Sequence, residues 1–92
     1  MLRVIHILKF EQGALVCELN NGHKKRIQIQ PLIHKHIHFK GIEQLNNNDF
    51  FQKAKIGELG EIYWKDAVCT SSNEKWNYDI SPEYIEAFGE AV

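Results

Sequence analysis

The densest group of chemically capable side chains in this 92-residue chain is His34-Lys35-His36-Ile37-His38. On a strand, imidazoles at two-residue spacing face the same way; on a helix, His34 and His38 become neighbours one turn apart. Either arrangement could offer nitrogen ligands to zinc or nickel. A structural zinc site takes four ligands, however. Cys17 and Cys69 are remote in sequence, and no His-Glu-x-x-His signature completes a set. The segment therefore reads as solvated histidines on a connecting stretch, with weak, opportunistic metal binding as the alternative. No metal and no other cofactor is assigned.

Nucleophilic or acid–base catalysis needs an activated set of partners. Asp66 with Cys69, and Asp79 with Glu83, come nearest, and neither pair supplies that set. Asp79 reads more simply as a turn or cap acceptor, and Glu83 as an acid matched to a helix dipole. No catalytic residue is assigned and the chain is expected not to be an enzyme; a small enzyme of unrecognised type is the alternative. Two other groups point to recognition. Lys24 and Lys25, in His23-Lys24-Lys25-Arg26, could meet phosphates or an acidic partner, although charge that protects an exposed strand edge is the commoner reason for such a run. Trp76 and Tyr78 fall in the stretch from Lys65 to Tyr78, which reads as a long loop. Aromatic side chains of this kind are enriched in interface hot spots, while the bland alternative folds them back as a lid on a small core.

Composition bounds what these residues can belong to. With 43% apolar and 11% aromatic residues, the chain reads as one domain over residues 1–92. A chain of this size buries about two-thirds of its unfolded surface. No apolar run approaches the roughly 20 residues of a membrane span. The N-terminal residues lack the pattern of a secretory signal, so a soluble, cytoplasmic protein is expected. Cys17 shares its parity with Leu15 and Leu19, which places it on an apolar strand face, and both cysteines read as free thiols. Residues 1–40 carry seven Lys or Arg and two acids, a charge of +5, whereas residues 41–92 carry four and ten, a charge of −6. The net −1 argues against direct nucleic-acid binding, which favours a basic domain.

The positioning elements follow from periodicity and turn chemistry. Strands are expected over Leu2 to Lys9, Ala14 to Leu19 and His23 to Gln30, joined at Gln12-Gly13 and at Asn20-Asn21-Gly22, since Asn and Gly tolerate the positive φ of tight hairpins. Pro31 ends the third strand. One or two short helical turns are expected between Leu32 and Asn47, then a helix capped by Asn48. A hairpin of Lys53 to Ile56 with Glu61 to Trp64 turns across Gly57 to Gly60, with Ala54, Ile56, Ile62 and Trp64 on the inner face. Ser81 caps a last helix with Pro82 first in it, and Tyr84, Ile85 and Phe88 form its buried stripe. The fold class is α+β: an antiparallel sheet, made of an N-terminal three-strand meander plus a C-terminal hairpin, covered by short helices and read as a single pleated layer.

The ordered set Pro31-Leu32, Phe39, Leu45, Phe51, Ile62 with Trp64, and Asp79-Ile80-Ser81-Pro82 resembles the bacterial domain-of-unknown-function 2442 family. It spans almost the whole chain. Where that family has a short Gly-Ala-Asp connection after the Trp, Lys65 to Tyr78 stands here. The resemblance implies an α+β domain without assigned catalysis. It also implies a protein-interaction or regulatory accessory role, in some relatives within arrangements like toxin–antitoxin pairs. The implied partner is another small bacterial protein, or a second copy, rather than DNA.

Overall fold

A computed structural model describes residues 1–92. Strand β1 (Val4–Glu11) pairs antiparallel with β2 (Ala14–Leu19), and β2 with β3 (Lys24–Gln28). Asn20-Asn21-Gly22 makes the second turn as its composition predicts, with Gly22 at φ +88°. Strand β2 is central and buried on both faces. Leu15, Cys17 and Leu19 face the core, and on the other side Val16 lies between Lys9 and Arg26 in the register. Glu11 accepts from both of those cations, at 3.0 and 2.7 Å, so an ionic network closes over the apolar strand.

The third strand ends at Gln28, before Pro31 and short of the expected Gln30, and Pro31 enters the first turn of α1 (Gln30–Lys35), where its missing N–H costs nothing. A 3₁₀ turn (Ile42–Asn46) and α2 (Asn48–Phe51) follow. The cap of α2 is Asn47 and not Asn48: the Asn47 side chain accepts from the Phe50 N–H at 3.2 Å, while Asn48 already has helical geometry. Strands β4 (Lys55–Ile56), β5 (Ile62–Cys69) and β6 (Lys75–Ile80) then form a hydrogen-bonded set of their own. Helix α3 (Pro82–Phe88) is capped by Ser81, whose Oγ accepts from the Tyr84 N–H at 3.1 Å. Strand β7 (Glu90–Ala91) returns to pair with β3.

The α+β class with antiparallel sheets and short helices is as expected, but the strands make two sheets, ordered β1-β2-β3-β7 and β4-β5-β6, rather than one layer. The helical pieces after Pro31 carry the chain off the first sheet before the second begins. The Val4 N–H reaches the Gly60 carbonyl at 3.0 Å where the sheets abut. Gly60 holds φ +78°, and a Cβ there would lie 2.7 Å from the Arg3 Cα. Eighteen buried side chains drawn from both sheets and all three helices form one cluster, so the two sheets share a core. At its centre Trp64 is fully buried, stacks on Phe51 at 5.9 Å, and donates its indole N–H to the Phe51 carbonyl at 2.8 Å.

The predicted long loop from Lys65 to Tyr78 is a hairpin instead. Strand β5 runs on past Trp64 to Cys69 and β6 begins at Lys75. A bulge hides the pairing: Trp64 faces Tyr78, but the next partners are Val68 and Trp76, so Lys65, Asp66 and Ala67 lie against Asn77 alone. Asp66 adopts φ +56°, and its N–H donates to the Asn77 side chain at 3.1 Å. The stripe expected on α3 is also corrected. Ile85 is buried, whereas Phe88 is 70% exposed because α3 ends there and Gly89 turns the chain into β7.

Candidate functional site

The β5–β6 hairpin overhangs the turn that follows α1, and a cleft of about 440 Å³ opens between them. Its walls include His36, Phe39, Val68, Trp76 and Tyr78, with Asp79 at the rim. Successive backbone bonds bring the lower wall into position: the His36 N–H donates to Leu32, Phe39 to His36, and Ile42 to Phe39. The two walls are tied by main chain, since the Cys69 N–H donates to the Lys40 carbonyl at 2.8 Å. Gly41 makes this approach possible. It sits at φ +99°, and a Cβ there would lie 2.8 Å from the Ala67 carbonyl oxygen.

Tyr78 and Trp76 alternate onto the core side of β6, yet they end in different environments. Tyr78 is buried beside Trp64, and its hydroxyl lies 2.8 Å from His36 Nδ1. Burial, followed by the charges of Tyr84 and Asp79, pushes the Tyr78 phenol up to about 12. Burial also lowers His36, with further help from the charges of Lys35 and His38. Both groups are therefore neutral near pH 7. The His36 imidazole stacks on Phe39, with centroids 5.0 Å apart and planes 3° from parallel. Trp76, two residues nearer the hairpin turn, is 60% exposed and pairs with no other ring.

Of the residues singled out from sequence, Trp76 and Tyr78 meet in this cleft, Trp76 at the surface and Tyr78 as its floor. Lys24 and Lys25 lie elsewhere, on β3, where Lys25 stands opposite Ala91 of β7. That pairing corrects the reading of β3 as a bare edge guarded by charge. The histidine segment is divided: His36 turns inward to Tyr78, His34 and His38 are exposed, and no group of three or more metal-ligating side chains forms. Both cysteines are free thiols, and burial raises the Cys17 thiol to about 11. Asp79 is exposed on β6, and the capping role suggested for it belongs to Ser81.

Sequence reasoning missed His36 as the partner of Tyr78 and Phe39 as the ring stacked on His36. Their three-residue spacing was the available signal, and it became informative only once Tyr78 was placed on a strand facing them. A second contact also went unseen: Glu86 of α3 lies 2.6 Å from His23 Nδ1 and accepts from the Asn21 side chain, and the His23 hydrogen bond is the main cause that lowers the Glu86 carboxyl. It fastens the helix to the β2–β3 turn. Compared with family models, curated proteins and solved structures, the chain finds no match in any of the three.

Proposed function

We propose that the chain is a non-enzymatic interaction module of the bacterial cytoplasm. In this reading it is a regulatory or accessory domain that holds another small protein, in a pairing of toxin–antitoxin type. The bacterial setting and the kind of pairing follow from the resemblance to the domain-of-unknown-function 2442 family. The contact surface follows from one observation: Trp76, 60% exposed, stands unpaired at the mouth of a cleft walled largely by apolar and aromatic side chains. Exposing so large an apolar ring against water stabilises nothing in the isolated chain, whereas covering an indole is among the largest single contributions at protein interfaces. The cleft floor has its own internal partners, so the site is formed before a partner arrives and little ordering cost opposes binding.

Affinity capture from a bacterial lysate, run in parallel with wild-type protein and Trp76→Ala, tests the reading. The expected result is a captured protein whose binding, remeasured with the purified partner, weakens at least about tenfold in the variant. The unfolding midpoint of the variant should stay within about 4 °C of wild type, as for other surface substitutions. Capture unaffected by Trp76→Ala would overturn the assignment of the contact surface.

A further inference from the structure

We infer that the cleft takes an arginine side chain presented by a basic peptide, an inference that rests on the cleft being the contact surface. The rings of His36, Phe39, Trp76 and Tyr78 line it, and no lysine or arginine does. Asp79 stands at the rim, and its negative charge reaches the floor, where it is among the causes that keep the Tyr78 hydroxyl protonated. His36 adds no positive charge near neutral pH, because burial and the neighbouring cations hold it in the neutral form.

Two of the cations near the cleft are engaged elsewhere. Lys35 Nζ lies over the Tyr84 ring at 5.7 Å, and Lys40 Nζ reaches the Asn73 side-chain oxygen at 3.4 Å. Lys75 is not among the residues that line the cleft, whereas Asn77 and Asp79 are. His38 sets its ring edge-on to Phe39 at 4.4 Å. Trp76 thus has no cation of its own, although indole is the best side-chain acceptor for one. A guanidinium, flat and weakly hydrated, stacks on an indole face while keeping its in-plane donors free. Those donors would meet a rim that offers Thr70, Asn77 and Asp79. An apolar anchor would use the ring walls but not the field of Asp79.

The test is a heteronuclear NMR titration of the intact chain with a blocked glycine-serine peptide carrying one arginine, against the same peptide carrying citrulline, its neutral near-isostere. The expected result is saturable shifts at the Trp76 indole and the Thr70 and Asn77 amides with the arginine peptide. Affinity should be about tenfold weaker for citrulline, as loss of a desolvated cation–π contact predicts. Asp79→Asn should weaken arginine binding about threefold and reduce its dependence on salt. Equal affinity for the two peptides, or no saturable response to the arginine peptide at millimolar concentration, would overturn the inference. If Trp76→Ala abolishes capture of the protein partner while arginine and citrulline bind alike, the contact surface stands and the arginine preference falls. Capture indifferent to Trp76→Ala removes the surface itself.

Discussion

Replacing Tyr78 by Phe deletes one oxygen from the cleft floor and leaves the ring. That oxygen's partner is His36 Nδ1 at 2.8 Å. A neutral hydrogen bond contributes about 1 kcal/mol net, and His36 is only partly buried, so water can replace the lost partner and the cost at pH 7 should stay near that value. For a chain of this size, that loss lowers the unfolding midpoint by about 4–8 °C. The pH dependence gives a sharper test. In the native state the phenol proton is held more tightly, with the group raised from its ordinary value of 10 to about 12. A raised pKa contributes stability that is complete below pH 10 and is lost as pH rises towards 12. The substituted ring has no proton to lose, so the advantage of wild type over Tyr78→Phe should narrow across that window. Urea unfolding of both proteins at pH 7 and at steps from 9 to 12 measures the difference directly. A constant difference across the alkaline range would refute the buried, hydrogen-bonded phenol, and no difference at pH 7 would refute the bond to His36.

Glu11, held at about 2 by its hydrogen bonds to Arg26 and then Lys9, contributes stability above the ordinary carboxylate value of 4.5 that is lost as pH falls towards 2. Glu11→Gln should therefore flatten the acid limb of the stability curve between those values, and NMR titration of the Glu11 carboxylate should give a low midpoint. Gly60→Ala should destabilise by about 1–3 kcal/mol in denaturant unfolding, because it adds a left-handed strain and forces a methyl against Arg3. Ser81→Ala should cost about 1 kcal/mol by the same measurement, since it removes the acceptor for the Tyr84 N–H.

Local chemistry made much of the fold legible in the sequence. Asn20-Asn21-Gly22 specifies a tight turn, Pro31 cannot continue a strand and suits the first turn of a helix, and Ser81-Pro82 marks a helix start, because each acts through its own backbone and needs no distant partner. Features that depend on distant partners were not legible. Alternation puts Val16 on the face opposite Leu15, Cys17 and Leu19, and nothing local announces its burial there between Lys9 and Arg26, which Glu11 joins across the first sheet. The pairing of Ala91 with Lys25 joins residues far apart in the chain and turns a supposed edge into an interior strand. The Asp66 bulge is the most consequential case. Lys65 and Asp66 break the apolar alternation after Trp64, and the register shift that accommodates them has no local sign, so the continuation of β5 and the strand nature of β6 vanish from the pattern. With them vanishes the geometry that separates Trp76 from Tyr78.

That separation explains why a stable fold carries an exposed indole. The lower layer under β6 ends at the turn holding His36 and Phe39, so Tyr78 has a ring contact and a hydrogen-bond partner beneath it. The hairpin continues beyond this layer, and one alternation further on Trp76 has Val68 beside it but only part of its surface covered. Val68 of this pair belongs to the shared core, whereas its partner Trp76 is 60% exposed, so core burial accounts for Val68 and not for the indole opposite it. The bulge points the same way. It inserts three β5 residues against one on β6, and β5 still realigns so that Val68 meets Trp76 on the core side. Such bulges re-aim side chains, commonly near sites of function. A partner that covers Trp76 would complete the layer that the fold leaves unfinished, and for that reason the substitution of this one residue separates an interaction module from a merely small domain.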